Sequence, residues 1–229
     1  KLDGKHCKHD FVFIRDPFIS DQNGTAIILR AGEQSRRIEN FIVKSLLEKL
    51  GMKIKEIPDR TGIRADGGEF YYCAKEKILF SGLQRNTEAG IDYVADMLNA
   101  EKLIILKGNG YHLDTFFSPC LDTNGKIVAL IVCKSILNDD SKKRLYEYAN
   151  SENILMFDIP IHDAIGTNEK LGTFSVNSLP LPGVLIRPNY FSNPSIDEKL
   201  NSIGIKIIIS PMSQFQLSGG SIHCVTNEL

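Results

Sequence analysis

The chain has 229 residues, of which 42% are hydrophobic, and a formal net charge of −1, the make-up of an ordinary globular protein. The near-zero charge argues against a nucleic-acid partner, because general nucleic-acid binders carry a basic excess. No apolar run reaches the roughly 18 residues that span a bilayer, so we expect no membrane contact.

Short apolar runs alternate with amphipathic segments along the chain. Runs rich in Ile, Val, Leu and Phe predict strands, and segments with apolar residues at helical spacing predict helices. In chain order the predicted strands are Phe11–Ile14, Ala26–Leu29, Met52–Ile57, Phe70–Cys73, Lys77–Phe80, Leu103–Leu106, Ile127–Cys133, Ile154–Phe157, Thr173–Asn177, Gly183–Ile186 and Lys206–Ile209. The predicted helices are Ser35–Leu50, Asn86–Leu98, Ser141–Asn150 and Ser195–Leu200.

These elements follow a repeating order of hairpin, helix and strand. The pairs Asn23-Gly24 and Asn124-Gly125 are strong hairpin turns. Recurrence every several tens of residues is typical of a propeller or array. Because no linker rich in Pro, Gly or Ser interrupts the pattern, we expect residues 1–229 to form one domain with internal pseudo-repeats.

Five cysteines stand at scattered positions without a CxxC pair. This odd count predicts neither a disulfide framework nor a zinc site. Since no CxxC pair suggests zinc and no GxxxxGK[ST] loop suggests a nucleotide, we expect no metal and no cofactor. Free thiols are typical of a reducing compartment, which favours the cytoplasm. We expect Cys73, Cys120 and Cys133 to be buried, because they lie in apolar runs.

Four short motifs occupy similar places in successive repeats. Equivalent ends of a radially repeated fold converge on its axis, so their polar side chains should meet there. The motifs are Phe13-Ile14-Arg15-Asp16-Pro17, Ala65-Asp66-Gly67-Gly68-Glu69, Gly110-Tyr111-His112-Leu113-Asp114 and Gly219-Gly220-Ser221-Ile222-His223-Cys224.

A cysteine beside a histidine forms an activated nucleophile, because the imidazolium stabilises the thiolate. A carboxylate can orient the imidazole, and further carboxylates suit a planar guanidinium with several N–H donors. His223 competes with His112 for the role of base. Because adjacent residues of an extended segment point to opposite faces, we expect His223 to face away from Cys224.

The four motifs, in this order, resemble those of the guanidino-group-modifying enzymes of the pentein superfamily. These include arginine deiminase, dimethylarginine dimethylaminohydrolase and the amidinotransferases. The resemblance runs from Phe13 to Cys224. It implies an α/β-propeller of five pseudo-symmetric ββαβ modules around a central active site. Since the chain opens on Lys1 rather than Met, we expect the first module to be incomplete at the N-terminus.

The resemblance also implies roles for single residues. Cys224 would be the nucleophile and His112 the general acid and base. Asp66, which stands where the family's motif has Glu, would orient His112. Four residues would bind the substrate. Asp16 and Asp114 would clamp the guanidinium, Arg85 would bind the α-carboxylate, and Glu69 takes the place of the motif's second acid.

The implied function is a cysteine-dependent hydrolase of the guanidino group of arginine or an N-methylated arginine. Its products would be citrulline and ammonia or an alkylamine, formed through a covalent thiouronium intermediate. One alternative is an amidinotransferase that passes the amidino group to an amine. Another is a non-catalytic pentein binding factor, against which Cys224 and His112 argue. Whether citrulline is processed further, as in a dihydrolase, stays open, as does a homo-oligomer.

Overall fold

A computed structural model describes residues 9–229 of the chain. Four three-stranded sheets form within this range, and each is built in the same way. The first two strands pair as an antiparallel hairpin, a helix follows, and the third strand pairs parallel to the second. Each sheet with its helix is therefore one ββαβ module.

The modules follow one another along the chain. The first has Phe18–Ser20 (β1), Thr25–Ile28 (β2), Glu39–Lys49 (α1) and Lys53–Glu56 (β3), and the second has Phe70–Cys73 (β4), Ile78–Gly82 (β5), Glu88–Leu98 (α2) and Lys102–Leu106 (β6). The third has Phe117–Leu121 (β7), Ile127–Val132 (β8), Asp139–Ser151 (α3) and Leu155–Asp158 (β9), and the fourth has Leu179–Leu181 (β10), Val184–Arg187 (β11), Pro194–Ser202 (α4) and Lys206–Ile209 (β12). A short helix, Ser213–Leu217 (α5), follows.

Local sequence explains where these elements begin and turn. The side chains of Thr87, Asn138 and Asn193 cap α2, α3 and α4 by accepting a hydrogen bond from a backbone N–H of the first turn. Gly24 closes the β1–β2 hairpin with a φ of +88°, a conformation that costs glycine little. None of the helices within residues 9–229 is long and apolar enough to cross a bilayer.

The predicted α/β-propeller class is confirmed, and four of the expected ββαβ modules are complete within residues 9–229. The hairpins at Asn23-Gly24 and Asn124-Gly125 and all four predicted helices are also present, with shifted ends.

Two predicted strands are absent. Phe11–Ile14 lies at a short 3-10 turn, in which the amide of Phe13 donates to the carbonyl of Asp10. Thr173–Asn177 is bent, because Phe174 adopts a left-handed φ of +53°. The amides of Thr173, Phe174 and Val176 donate instead to carbonyls of the segment 162–164. An apolar run alone therefore did not distinguish a strand from a buried turn.

Candidate active site

The loops that lead into the first strand of each module meet at one cavity of about 560 Å³. Asp16 precedes β1, Asp66 precedes β4, and His112 precedes β7. Cys224, from the C-terminal turns, lines the same cavity. The convergence that the repeat predicted is therefore observed for these four residues. The wall also includes Phe13, Arg36, Arg85, Tyr111, Ile165 and Gly220.

The two glycines after Asp66 let the loops pack closely. The amide of Gly68 donates to Asp16 Oδ1 at 3.1 Å. A Cβ on Gly68 would lie 2.6 Å from Nδ1 of His112, which is closer than nonbonded atoms allow. A Cβ on Gly67 would lie 2.0 Å from the carbonyl oxygen of Arg15. The Asp-Gly-Gly-Glu motif is therefore a contact surface for the Asp16 and His112 loops.

His112 lies between two carboxylates and is almost completely buried. Its Nδ1 is 3.7 Å from Asp16 Oδ1, and its Nε2 is 3.9 Å from Asp66 Oδ2. Burial opposes the imidazolium, but the negative charges of Asp16 and Asp66 outweigh it and raise the pKa of His112 to about 9. At neutral pH the ring is thus protonated and able to act as a general acid.

Asp66 faces His112 from one side and Arg85 from the other. It accepts hydrogen bonds from the amide of Gly32 at 3.1 Å and from Nε of Arg85 at 3.2 Å. Burial opposes its ionisation, but His112 and Arg85 outweigh that effect and lower the pKa of Asp66. The 3.9 Å gap to His112 is longer than a hydrogen bond, so Asp66 acts on the ring mainly through its charge.

Arg85, predicted to bind the substrate's α-carboxylate, lies on the cavity wall. Its Cζ lies 4.7 Å from the centre of the Tyr111 ring, a cation–π contact. With 27% of its side chain exposed, Arg85 presents part of its guanidinium to the cavity.

Glu69 is fully buried and lies behind the cavity rather than in its wall. Its two oxygens accept hydrogen bonds from the amides of Arg85, at 2.6 Å, and Leu113, at 2.9 Å. Burial raises the pKa of its carboxyl group. Glu69 therefore joins the loops of Arg85 and His112, whereas the sequence had suggested a contact with substrate.

Asp16 lines the cavity but already has a guanidinium partner. Arg36, just before α1, forms an ion pair with Asp16 and a second one with Glu39 at 2.9 Å. Burial opposes the charge of Arg36, but Glu39 and Asp16 outweigh it and raise the pKa of the guanidinium. Arg36 has no recognisable motif in the sequence, because 20 residues separate it from Asp16.

The thiol of Cys224 has two polar partners. Nδ2 of Asn177 lies 3.3 Å from Sγ, and Asp114 Oδ2 lies 3.5 Å from it. Oδ1 of Asn177 also accepts the amide of His223 at 3.0 Å. The motifs predict an imidazolium beside the thiol. Instead, His112 lines the same cavity and is not among the hydrogen-bond partners of Sγ.

These surroundings keep the thiol of Cys224 protonated. Burial is the largest effect, and with the charges of Asp114 and Asp16 it raises the pKa of Cys224 well above its usual value. Asn177 was missed because it ends a run that the sequence predicted as a strand.

Asp114 is fully buried, and it contacts both Cys224 and His223. Its Oδ2 lies 2.9 Å from Nδ1 of His223. Burial raises the pKa of Asp114 to about 7. As expected, His223 lies outside the cavity that Cys224 lines. Both side chains nevertheless contact the same oxygen of Asp114, because this segment forms turns rather than an extended strand. The turns are closed by bonds from Val225 N to Ser221 O and from Thr226 N to His223 O.

The chain end holds Cys224 in place. Nε of Arg15 donates to the carbonyl of His223 at 3.2 Å, and its Nη1 pairs with Glu228 at 2.6 Å. Asn227 Nδ2 donates to the carbonyl of Phe18 at 2.9 Å. A Cβ on Gly220 would lie 2.3 Å from the Phe13 ring. The final residues are thus packed against the segment that carries Asp16.

Comparison with known proteins gives a consistent result. The model of the family described as N,N dimethylarginine dimethylhydrolase, eukaryotic, matches residues 2–229. A crystal structure of ArgZ, an arginine dihydrolase from the ornithine-ammonia cycle in cyanobacteria, is similar with a TM-score of 0.78 and 22% identity. The similarity covers 95% of this chain and 33% of ArgZ, so the chain spans about a third of that protein.

Two further structures share the fold. The N-terminal domain of an ArgZ mutant, covalently bound to a reaction intermediate, has a TM-score of 0.75 and 20% identity, over 95% of this chain and 75% of that one. A dimethylarginine dimethylaminohydrolase adduct with 4-chloro-2-hydroxymethylpyridine has a TM-score of 0.70 and 17% identity, over 96% and 79% of the two chains.

Proposed function

The chain belongs to the family of eukaryotic N,N-dimethylarginine dimethylhydrolases, and from this premise we propose that it hydrolyses the guanidino group of arginine or an N-methylated arginine. It is a cysteine-dependent hydrolase of carbon–nitrogen bonds. The observation that carries this proposal is a buried thiol, Cys224, which shares one cavity with His112 and two carboxylates, Asp16 and Asp66. A third carboxylate, Asp114, contacts the thiol from behind.

The substrate guanidinium lies between Cys224 and His112. Its N–H groups pair with Asp16 and with Oδ1 of Asp114, because carboxylates and guanidinium groups match in charge and shape. At Asp16 the substrate competes with Arg36, which pairs with that carboxylate in the free protein. At Asp114, whose Oδ2 contacts Cys224, it takes the oxygen that has no other hydrogen-bond partner within residues 9–229. Arg85, which extends along the wall from Asp66, attracts the substrate's α-carboxylate. Asp66 is occupied by Arg85 and a backbone amide, so its role is to keep His112 protonated.

Substrate binding activates the thiol. In the free enzyme Asp114 and Asp16 oppose the thiolate. A guanidinium between them adds positive charge, which offsets these carboxylates and lowers the pKa of Cys224. The Nδ2 amide of Asn177, 3.3 Å from Sγ, also donates to the thiolate. The thiol therefore loses its proton to solvent water when a cation occupies the site, and the reactive anion forms.

The reaction then takes two steps. The thiolate of Cys224 attacks the central guanidino carbon and a C–S bond forms. His112 gives its proton to the departing amine as the C–N bond breaks, which leaves a thiouronium. Neutral His112 next takes a proton from water, and the hydroxide adds to the same carbon. The C–S bond breaks, and a ureido product and the thiolate are released.

Two observations favour different substrates. The family match favours a dimethylated arginine. The proposed clamp favours unmethylated arginine, because a dimethylated nitrogen, which has no N–H, cannot donate to the carboxylate of Asp16 or Asp114. Arginine is therefore the better fit to the geometry, and dimethylarginine is the second candidate.

A product profile by mass spectrometry tests the proposal. The protein is incubated with arginine, asymmetric dimethylarginine or citrulline, with and without glycine. We expect citrulline, with ammonia from arginine or dimethylamine from dimethylarginine. Ornithine from citrulline would extend the activity to a dihydrolase. If neither arginine nor asymmetric dimethylarginine gives a ureido product, the proposal is wrong. Glycine-dependent release of ornithine without citrulline would identify an amidinotransferase.

A further inference from the structure

His223 is a fully buried histidine for which the catalytic steps above have no use. It does not line the 560 Å³ cavity, and its ring packs on Tyr71 with 4.2 Å between ring centres and 28° between planes. Its backbone is fixed on both sides, because its amide donates to Asn177 and its carbonyl accepts from Arg15. The ring therefore has one well-defined position.

The polar contact of this ring is with Asp114. Nδ1 of His223 lies 2.9 Å from Asp114 Oδ2, the same oxygen that lies 3.5 Å from Sγ of Cys224. Because an ionised carboxylate only accepts, Nδ1 carries the proton and donates it. The other oxygen, Oδ1, has no hydrogen-bond partner within residues 9–229. One carboxylate oxygen is thus held by His223, and the other is left for a donor.

We propose that His223 is a positioning residue, whose Nδ1–H fixes the carboxylate of Asp114 so that it meets both the Cys224 thiol and the guanidinium of the substrate. The inference rests on the proposed function, since it assigns the substrate as the donor for Oδ1. In this proposal His223 orients the carboxylate of Asp114, whereas His112 transfers protons during the reaction.

The hydrogen bond from His223 also affects the pH above which Asp114 is ionised. Burial opposes the carboxylate, as does the charge of Asp16, whereas His112 and Arg15 favour it. Tyr71, from β4, and Cys224 face the same carboxylate. The ring of His223 is kept neutral, because burial and the charges of Arg15 and His112 lower its pKa well below its usual range. The neutral ring thus stabilises the ionised form of Asp114 through the N–H dipole at Nδ1. Without this donor, Asp114 should keep its proton to a higher pH.

Two amide substitutions separate the nitrogen positions of the ring. The side-chain amide of His223→Asn lies near Nδ1 and can still donate to Asp114. The amide of His223→Gln lies nearer Nε2, away from that carboxylate. His162→Asn is the matched control, because the His162 side chain is 58% exposed and contacts Asp163 rather than the site. Thermal unfolding of each variant shows whether it is folded. If His223→Gln is not folded, His223→Met takes its place as the variant without a donor at Nδ1.

Two readouts test the proposal. With arginine as substrate, we expect the acidic limb of the kcat/KM profile to move up by about one pH unit in His223→Gln, with a KM near neutral pH about tenfold higher. His223→Asn should keep the limb of the wild type. Without substrate, Cys224 of His223→Gln should react several-fold faster with iodoacetamide near neutral pH, because a protonated Asp114 no longer opposes the thiolate.

The outcomes separate this inference from the proposed function. If the wild type does not act on any arginine, the proposed function fails, while the alkylation rates still report on His223 and Asp114. If the Gln variant loses activity with an unchanged pH profile and unchanged alkylation, His223 is only structural and the inference is wrong. Equal shifts in the Asn and Gln variants would also overturn it, because the position of the donor would then not matter.

Discussion

The carboxylate of Asp114 contacts the thiol of Cys224, with 3.5 Å between Oδ2 and Sγ. In a buried site this contact opposes the thiolate, so the free enzyme should hold an unreactive thiol. We predict that Asp114→Asn raises the rate of Cys224 alkylation by iodoacetamide near neutral pH by about tenfold or more, and abolishes most turnover of arginine. Peptide mapping after alkylation measures the first effect.

Asp140→Asn is the control for this change, because Asp140 lies exposed in the first turn of α3. It should leave both rates unchanged. A slower alkylation of Asp114→Asn than of the wild type would show that the carboxylate activates the thiol, in conflict with the proposed mechanism.

The dependence of activity on pH follows from two groups. Asp114 must be ionised to pair with a guanidinium, and its pKa is about 7. His112 must be protonated to act as the acid, and its pKa is about 9. We therefore expect kcat/KM to be highest between about pH 7 and pH 9, and to fall below this range as Asp114 gains a proton and above it as His112 loses one.

Asp66→Asn tests the second assignment. Removal of a negative charge 3.9 Å from Nε2 destabilises the imidazolium, so the pKa of His112 falls and the alkaline limb moves down by about one unit. Steady-state rates across the pH range measure the shift, and Asp140→Asn again serves as the control. An alkaline limb that does not move in Asp66→Asn would contradict the assignment of that limb to His112.

Asn177 should matter as much as the residues that the motifs identified. It donates to Sγ of Cys224 and accepts the amide of His223. Asn177→Asp replaces the donor with an acceptor of nearly the same shape, which opposes the thiolate. We expect kcat to fall about 100-fold, as for the loss of one donor to a developing anion.

Asn189→Asp is the matched change, since Asn189 donates to the carbonyl of Thr173 away from the cavity. Its kcat should stay within about twofold of the wild type. Equal losses in the two variants would show that Asn177 has no special part in catalysis.

Gly68 should tolerate no side chain. A Cβ at this position would meet Nδ1 of His112 at 2.6 Å and Asp16 Oδ1 at 3.1 Å, so Gly68→Ala must displace the catalytic ring. We expect about a 100-fold loss of kcat/KM, with a loss of about 1–3 kcal/mol in the free energy of unfolding.

Gly62→Ala separates stability from activity. Gly62 has a φ of +86° with open space around its Cβ position, so alanine there strains the backbone without touching the site. It should lower the free energy of unfolding by about 1 kcal/mol and leave kcat/KM unchanged. Full activity in Gly68→Ala would contradict the close packing of His112 on this loop.

The sequence was most informative where periodicity repeats. The hairpin, helix and strand order predicted the ββαβ modules, and the four motifs identified residues that the fold brings to one cavity. It was less informative where contact depends on turns. Thr173–Asn177 looked like a strand, but a left-handed residue, Phe174, bends it and brings Asn177 to the thiol.

The same limit applies to the chain end. Strand alternation would have turned His223 away from Cys224, but successive turns let both contact Asp114. Arg36 was also missed, because a partner 20 residues from Asp16 in sequence leaves no local pattern. These contacts depend on the meeting of loops from different modules, which only the assembled fold determines.

In the proposed reaction Cys224 attacks the carbon of a bound guanidinium. Rapid acid quenching of the protein during turnover, followed by mass spectrometry of its peptides, tests this most directly. We expect an adduct on the Cys224 peptide, with the mass of the substrate less the departing amine. Cys224→Ser should form no adduct and should lose activity by about 10⁴-fold or more. Steady turnover by Cys224→Ser, or an adduct on another cysteine, would contradict it.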